Sequence, residues 1–398
     1  MASDFISMVM EQTSELESPK QFFYWSALSC ISAVLKSRVY LDRFAYILYP
    51  NIYVMLFAKS GLRKGVPINL AKRLVQKVDN TRVIVGRSSI QAIIKELSTV
   101  RAKADGTIMK DAAGFIVASE FAASLVQDPQ SLTILTDLYD SNYNESWSNM
   151  LKGSNLETLK NVSLTMLGGI NHAHFADSVD LAAIMGGFVG RTFIVYEEKK
   201  ANVNSLVYQP TRTPNVDELA GTLKGISRLS GAAKFTPSGG KLYDEWYRKY
   251  NESARDDKTG TSERISDSIL KVAILLSASR RDDLLLDEFV VAEAIEQCLI
   301  TSASVKRTTV GSGKNQNSAN VGVVLQELLQ HKEVTRRQVL SRHYADFDAF
   351  ELDRIVETLE QAGAITSKQQ GKEITYKITQ KVYDEYVQIK KKEVKEVI

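Results

Sequence analysis

Residues 51–58, NIYVMLFA, form a continuous apolar run, and this run constrains the fold more than any other feature of the sequence. Such a run predicts a strand buried on both faces, which is typical of a parallel sheet. The glycine-containing turn AKSGLRKG (58–65) follows it, and residues 67–78 then carry their apolar side chains on one helical face. Strand, turn and helix in this order predict one half of an α/β unit.

The same alternation continues downstream. SSIQAIIKEL (88–97) is typical of a helix with a serine cap. Three further buried strands are expected in GFIVAS (114–119), VSLTMLGG (162–169) and GGFVGRTFIVYEE (186–198). Strands that alternate with helices favour a mainly parallel sheet, so the predicted fold class is α/β.

Beyond residue 200 helical patterns replace the alternation, which is typical of a helical lid. The segment TVGSGKNQNSAN (309–320) lacks apolar periodicity and is interpreted as a linker. Three helical patterns and then two strand patterns follow it, which is the winged-helix order. The predicted organisation is an N-terminal helical extension, a P-loop core, a lid, a linker and a winged-helix domain, at 1–50, 51–200, 201–308, 309–320 and 321–398.

Composition excludes several classes of protein. Fifty Lys and Arg against 47 Asp and Glu give a net charge of +3, so no global attraction to nucleic acid or to an anionic membrane is expected. Two cysteines and four histidines provide neither a disulfide framework nor a metal-ligand spacing. The apolar stretch 22–35 is shorter than the roughly 20 residues that cross a bilayer and predicts a buried helix. A cytoplasmic protein without a membrane partner is expected.

Residues Ser60, Gly61, Leu62, Arg63, Lys64 and Gly65 have the strand-to-helix context of a Walker A loop. Gly61 would let backbone N–H groups face phosphate oxygens, the helix N-terminus would add its dipole, and Lys64 would reach the β- and γ-phosphates of ATP. The expected cofactors are ATP and Mg²⁺. Arg63 stands where glycine is usual, and Gly65 where a hydroxyl would ligate Mg²⁺. The alternative is a surface turn with incidental lysines.

Polar residues follow the later strands. Glu120 comes directly after GFIVAS, where a carboxylate would polarise the attacking water, although Ser119 replaces the preceding aspartate. Asn171 ends the next strand and could orient the same water. Arg191 follows a glycine-rich turn. The alternatives are a glutamate favoured at a helix start, a turn asparagine and a surface salt bridge.

In this order the parts resemble MCM-like AAA+ helicases, specifically the compact versions in replication modules of phages and mobile elements. The resemblance covers about residues 50–300 and is carried by SGLRKG, FIVASEF, TMLGGINHAHF, GGFVGRTFIVY and SERISDSILKVAILLSASR. It implies that Glu120 completes the Walker B strand, Asn171 is a sensor, Arg191 is an arginine finger and Arg264 is a second sensor. The N-terminal region departs from the family pattern, because the roughly 50 residues before the predicted Walker A loop leave no room for the family's DNA-binding collar.

The resemblance also implies a pore hairpin between the Walker B and sensor strands. Residues 147–161 fill that interval, and Lys152 lies at the expected tip, where it would contact a single strand. In the winged-helix domain, DNA contact is expected from Arg336, Arg337 and Lys372, with a protein-docking module as the alternative.

The first predicted function is an ATP-dependent helicase or translocase that acts on single-stranded or forked DNA in the replication of a phage or mobile element. It is expected to form a ring, most simply a hexamer. The second is a non-motor nucleotide-binding initiator or loader that bridges DNA and a partner replication protein. Lys64, Glu120, Asn171 and Arg191 favour the first, whereas Gly65 and Ser119 favour the second. A Rossmann dehydrogenase ranks third, because no GxGxxG follows the first strand.

Overall fold

The computed structural model describes residues 4–85, 89–102, 108–109, 111–119, 129–141, 143–149, 157–171, 187–205, 211–252, 260–309, 317–344, 346–371, 373–380 and 382–384. The chain divides into two compact units, Met1–Arg307 and Thr308–Ile398. The first unit contains the regions predicted as the extension, the P-loop core and the lid.

Helices and strands of the first unit follow the predicted alternation closely. In chain order they are α1 (Phe5–Gln12), α2 (Lys20–Leu35), β1 (Val39–Asp42), β2 (Ile47–Leu48), β3 (Tyr53–Ala58), α3 (Gly65–Gln76), β4 (Val83–Val85), α4 (Ile90–Ser98), β5 (Arg101–Ala102), β6 (Ile108–Met109), β7 (Ala113–Ala118), α5 (Pro129–Tyr139), β8 (Ser146–Asn149), β9 (Glu157–Lys160), β10 (Ser163–Asn171), β11 (Thr192–Tyr196), α6 (Val216–Ile226), β12 (Gly231–Ala232), β13 (Lys234–Phe235), α7 (Pro237–Asn251), α8 (Thr261–Arg280), β14 (Leu285–Leu286) and α9 (Glu288–Thr309).

The central sheet has five strands in the order β11-β3-β10-β7-β4, and every neighbouring pair is parallel. This confirms the predicted α/β class and the parallel sheet. Strand β3 is flanked on both sides, by β10 with Ala58 opposite Asn171 and by β11 with Tyr53 opposite Thr192. The edge strand β4 was not predicted, because its three residues are too few to carry a periodic signal.

Each face of the sheet is covered by helices. Alternate residues of β3 enter two separate apolar clusters, with Val54, Leu56 and Ala58 in one and Tyr53, Met55 and Phe57 in the other. The first cluster also contains buried residues of α1, α2, α3, α6, α8 and α9, whereas the second contains those of α4 and α5. The first unit is therefore a three-layer sandwich in which all six side chains of β3 are buried.

Helix α2 is the buried helix that the apolar stretch predicts. Its residues 22–35 are all buried, and Trp25 packs on Phe193 of β11 with ring centroids 4.7 Å apart. The hydroxyls of Ser32 and Thr165, 2.7 Å apart, join it to β10. Among the residues that the structure describes, no helix combines the length and the apolar character needed to cross a membrane.

The second unit is a small mixed domain. Its elements are α10 (Asn317–His331), β15 (Glu333–Thr335), α11 (Arg336–His343), α12 (Ala349–Gln361), β16 (Ile365–Gln370) and β17 (Glu373–Ile378). The strands form an antiparallel sheet in the order β15-β17-β16. Three helices and a final hairpin agree with the predicted order of elements, and capping boxes at Thr335–Gln338 and Asp348–Glu351 fix where α11 and α12 begin.

Gly169 of β10 supports a sharp stability prediction. A Cβ atom there would lie 2.6 Å from the carbonyl oxygen of Ser119 and 3.2 Å from Cδ1 of Ile68, so glycine is what lets β10, the end of β7 and α3 approach. We expect Gly169→Ala to lower the free energy of unfolding by about 1–3 kcal/mol, measured as a fall in the melting temperature.

The matched control is Gly221→Ala in the interior of α6, where a Cβ atom would meet nothing within 4 Å. That variant should be more stable by about 0.5–1 kcal/mol, because alanine loses less backbone freedom on folding than glycine. Equal stability of the two variants would contradict the close approach at Gly169.

Candidate functional site

The loop of residues 59–64 leaves the buried end of β3 and enters α3 with an unusual backbone. Gly61 has a φ of 91° and Arg63 a φ of 59°, whereas Lys64 is right-handed helical with a φ of −49°. Such changes of hand between neighbouring residues turn successive N–H groups toward one side, and this geometry binds anions. The N-terminus of the 12-residue helix α3 directly follows and adds its dipole.

Lys64 lies over the carboxyl end of β3. Its ammonium donates to the carbonyl oxygen of Ala58 at 2.6 Å and to that of Lys59 at 3.1 Å. Ser60 and Gly61 are exposed beside it, whereas Leu62 is partly buried against the apolar cluster of α2 and α3 and anchors the loop. The lysine therefore holds its positive charge at the carboxyl end of β3, beside the exposed residues of the loop.

Glu17 fixes the loop from outside, and nothing in the sequence pattern pointed to it. Its carboxylate accepts a hydrogen bond from Nζ of Lys200 at 2.8 Å and from Nε of Arg63 at 3.0 Å. Hydrogen bonds to Lys200 first and Arg63 second lower the pKa of Glu17 to about 2. The hydroxyl of the next residue, Ser18, donates to the carbonyl oxygen of Arg63 at 3.0 Å. Arg63, which departs from the usual glycine, thus serves as an anchor for the loop.

Asn171 lies beside the loop. It ends β10 opposite Ala58, one strand away from residues 59–64, which corresponds to about 4.8 Å in a sheet. Ser119 follows the last residue of β7 and is exposed at the same carboxyl edge, two strands from β3. The pairing of Ala58 with Asn171 places the start of the loop and the end of β10 at one edge of the sheet. Glu120 lies outside the described residues.

The residues described at this edge do not form a ligand set for Mg²⁺. Gly65 offers no hydroxyl, and Ser119 stands where a carboxylate would be expected. Within the part of the chain that the structure describes, no three His, Cys, Asp or Glu side chains cluster as metal ligands would. Packing does not impose glycine at position 65, since the nearest atom to a Cβ there would be Nδ2 of Asn69 at 3.9 Å.

Arg191 and Arg264 lie at the opposite edge of the sheet. Arg191 immediately precedes β11, whose first residue, Thr192, pairs with Tyr53 at the amino end of β3. It is therefore level with Ile52, six residues before Ala58, or roughly 20 Å from the loop at the usual strand rise. A Cβ atom on Gly187 would meet Nη1 of Arg191 at 2.6 Å and Nη2 of Arg264 at 3.8 Å. The two arginines are neighbours, and both are distant from the loop of their own chain.

A carboxylate holds Arg191 in place. Asp140 accepts hydrogen bonds from Nε of Arg191 at 3.1 and 3.0 Å and forms an ion pair with Nη2, while the carbonyl oxygen of Gly187 accepts from Nη1 at 3.0 Å. The Arg191 side chain is only 10% exposed. Both arginines line a cleft of about 260 Å³ that also contains Asp267 and Lys271.

Lys271 is the most deeply buried cation of this cleft. Its ammonium donates to the backbone carbonyl oxygen of Asn51 at 3.1 Å and to Oδ1 of Asn51 at 2.8 Å, and it lies 3.7 Å from the centroid of the Tyr139 ring. Burial lowers the pKa of Lys271 to about 7. The lysine therefore ties α8 to the start of β3 while it remains close to Arg191.

The predicted DNA-contact residues have different surroundings. The stem of the predicted hairpin is present, since β8 pairs antiparallel with β9, but Lys152 lies outside the described residues, as does Lys372. In the second unit Arg336 forms a paired contact with Asp353 at 2.9 and 3.0 Å. Arg337 is exposed on the same helix and lines a groove of about 780 Å³ with Arg336.

The sequence matches no protein-family model, and no curated protein is significantly similar to it. The site is therefore interpreted from its geometry. Ligand sites in open parallel sheets lie beyond the carboxyl ends of the strands, where successive connections run in opposite directions. Residues 59–64 occupy that position, because the chain runs from β3 to β4 on one side of the sheet and from the neighbouring β10 to β11 on the other.

Glu17→Gln tests how the loop is held. The pKa of this carboxyl is depressed in the folded chain, so its contribution to stability is complete above about 4.5 and is lost as the pH falls toward about 2. We expect the variant to melt at a lower temperature than the wild type at pH 7. The gap should stay constant down to about pH 4.5 and shrink below it.

The matched control is Glu11→Gln, which removes an exposed ion pair to Arg212 and should change the melting temperature little. A gap at pH 3 as large as that at pH 7 would show that the ionised carboxylate of Glu17 is not what secures the loop.

Proposed function

We propose that the chain is an ATPase that resembles the AAA+ type and works as a ring on DNA during replication of a phage or mobile element. The observation that carries the proposal is the carboxyl edge of the sheet. There, an anion-binding loop, the ammonium of Lys64 and the side chain of Asn171 come from adjacent strands. Such a loop fits the triphosphate of a nucleotide.

Each residue of this edge has a proposed role. The N–H groups of the loop and of the first turn of α3 bind phosphate oxygens, and Lys64 shifts from the carbonyl oxygens of Ala58 and Lys59 to the β- and γ-phosphates. Asn171 orients the attacking water, and Glu120 accepts its proton. No step is assigned to Mg²⁺, because Gly65 and Ser119 do not supply the usual protein ligands.

The position of Arg191 and Arg264 supports an assembly. Since both lie roughly 20 Å from their own loop, they can contact a terminal phosphate only on a neighbouring copy. Repetition of that head-to-tail contact closes a ring or continues as a filament, and we propose a hexamer. Arg191 would exchange Asp140 for phosphate, because both are anions that accept a forked pair of N–H donors.

Two regions support contact with DNA. The β8–β9 hairpin would carry Lys152 to a single or forked strand, where phosphate neutralisation makes binding weaken with salt. The second unit has the element order of a winged helix, and its groove beside Arg336 and Arg337 would bind DNA or a partner replication protein. Because Asp353 already pairs with Arg336, Arg337 is the stronger candidate for phosphate contact.

The decisive experiment is ATP turnover with and without single-stranded DNA. We expect Lys64→Ala to lose nucleotide binding, because its ammonium lies over the carboxyl end of β3 beside the loop. Glu120→Gln should bind ATP normally and lower turnover by about 100-fold or more, as expected for loss of a general base. Arg73→Ala, which removes an exposed cation of α3, is the control and should behave as wild type.

Equal nucleotide affinity of Lys64→Ala and wild type would overturn the phosphate assignment. Turnover that DNA does not stimulate would leave an ATPase without the proposed motor activity.

Mixing two inactive variants tests the shared site. Arg191→Ala should bind ATP normally and lose turnover, and adding Lys64→Ala should restore part of it, because one intact loop then meets one intact Arg191. Asp140→Asn should keep turnover. Its turnover should depend less steeply on the concentration of the chain than that of the wild type, since Arg191 leaves a neutral amide more easily than a carboxylate. If no mixing ratio restores activity, Arg191 does not act on a neighbouring copy.

The non-motor initiator or loader remains a second candidate, and Gly65 is the observation that favours it. The open space at this position accepts a side chain, yet no hydroxyl is present. On this alternative, wild-type chain binds nucleotide without turnover, and Gly65→Thr adds the missing hydroxyl and makes nucleotide affinity depend on Mg²⁺. Robust turnover by the wild type would exclude it.

A further inference from the structure

A second cavity, of about 590 Å³, opens at the edge of the sheet opposite residues 59–64. Ala113 and Ser163, the first residues of β7 and β10, form part of its wall. The cavity lies at the amino ends of β7 and β10 and is therefore separate from the loop of residues 59–64. Neither the nucleotide site nor the arginine cleft uses its side chains, apart from Ile47 and Tyr49, which line both the cleft and this cavity.

Three tyrosines line this cavity from different elements. Tyr40 belongs to β1, Tyr49 follows β2, and Tyr143 precedes β8. Burial raises the pKa of the Tyr49 hydroxyl, and the backbone of Tyr143 opposes part of that rise. Tyr143 is 45% exposed, so part of its ring faces solvent at the mouth. Tyrosine rings of this kind provide flat surfaces on which a nucleic-acid base can stack.

Two cations lie on the same wall. Nζ of Lys36 donates to the carbonyl oxygen of Asn80 at 2.5 Å, and Arg38 donates to the carbonyl oxygens of Val34 and Leu35 at 2.5 and 3.3 Å. These carbonyl groups help to orient both side chains, and Asp111 is close enough to Arg38 to favour its charged form. Among the described residues that line the cavity, Asp111 is the one carboxylate, and Glu145 lies near enough to act on Tyr49. The lining therefore has an excess of positive charge, which favours an anionic ligand such as phosphate.

The cavity lies at the root of the β8–β9 hairpin. Asn161, which directly follows β9, is part of its wall, accepts the backbone N–H of Asn144 at 2.8 Å and donates to Asp111 at 2.9 Å. The same asparagine thus joins the hairpin to the cavity. A strand that contacts the stem of the hairpin, where β8 begins at Ser146, would pass near Tyr143.

We propose that this cavity binds one nucleotide unit, with the base stacked on the tyrosines and the phosphate near Lys36 and Arg38. A free mononucleotide and one unit of a single strand share this chemistry. The position beside the hairpin favours one unit of a single strand over a free mononucleotide. That choice between the two ligands rests on the proposed function. The chemistry of the cavity does not depend on it.

The test uses full-length chain carrying Lys64→Ala, so that the phosphate loop contributes no nucleotide binding. Affinity for a labelled oligothymidylate is measured by fluorescence anisotropy, with thymidine monophosphate as a free competitor. We expect Tyr143→Ala in this background to bind the oligonucleotide about tenfold more weakly, as loss of one stacked base does. Tyr143→Phe should retain affinity because it keeps the ring.

Lys36→Gln should weaken binding and reduce the salt dependence by about one phosphate contact. Tyr247→Ala, which removes an exposed tyrosine of α7, is the matched control and should bind as its parent does. Competition by thymidine monophosphate would identify the free nucleotide as a ligand, and its absence would identify the strand. Both outcomes support nucleotide binding in the cavity if Tyr143→Ala binds the oligonucleotide more weakly than its parent.

The proposal is overturned if the Lys64→Ala parent binds neither ligand, or if Tyr143→Ala and Tyr247→Ala bind alike. This outcome is distinct from failure of the ATPase, which is measured separately on chain with an intact Lys64. If the chain hydrolyses ATP and Tyr143→Ala does not change oligonucleotide binding, the proposed function stands and only the proposal for the cavity fails.

Discussion

Strand β3 is enclosed on every side, and the rest of the first unit depends on this enclosure. Its backbone pairs with β10 and β11, and its side chains alternate between two apolar clusters. A strand so placed can expose polar groups only at its two ends. The carboxyl end continues into residues 59–64, which lie mostly at the surface and lead into the N-terminus of α3. The position of the site is thus a consequence of core packing.

The two departures from a standard phosphate loop have different physical explanations. Arg63 takes a positive φ, which costs a non-glycine residue about 1 kcal/mol, and its contact with Glu17 offsets part of that cost. Gly65 has no such explanation, since its backbone is helical and the space beside it is open. Arg63 therefore belongs to the architecture of the loop, whereas Gly65 bears on its chemistry.

Sequence alone was sufficient for the elements with long patterns. The apolar runs of β3, β7 and β10 predicted a parallel sheet, and the structure confirms it, with Lys64 and Asn171 at one edge. It could not reveal Glu17, because its partners Arg63 and Lys200 are 46 and 183 residues away and a single carboxylate carries no periodic signal. The contact of Asp140 with Arg191 and the convergence of three tyrosines depend equally on tertiary structure. Glu120, Lys152 and Lys372 stay predictions.

The separation of the loop from Arg191 and Arg264 by the length of a strand also bears on ring opening. In an open chain of subunits joined through these two surfaces, every internal nucleotide has both halves of its site, but the terminal loop lacks arginines and the terminal arginines lack a nucleotide. An opening through which a DNA strand could enter would therefore coincide with the one subunit unable to turn over. On the proposed function, loading of the strand and hydrolysis would exclude each other at the same junction.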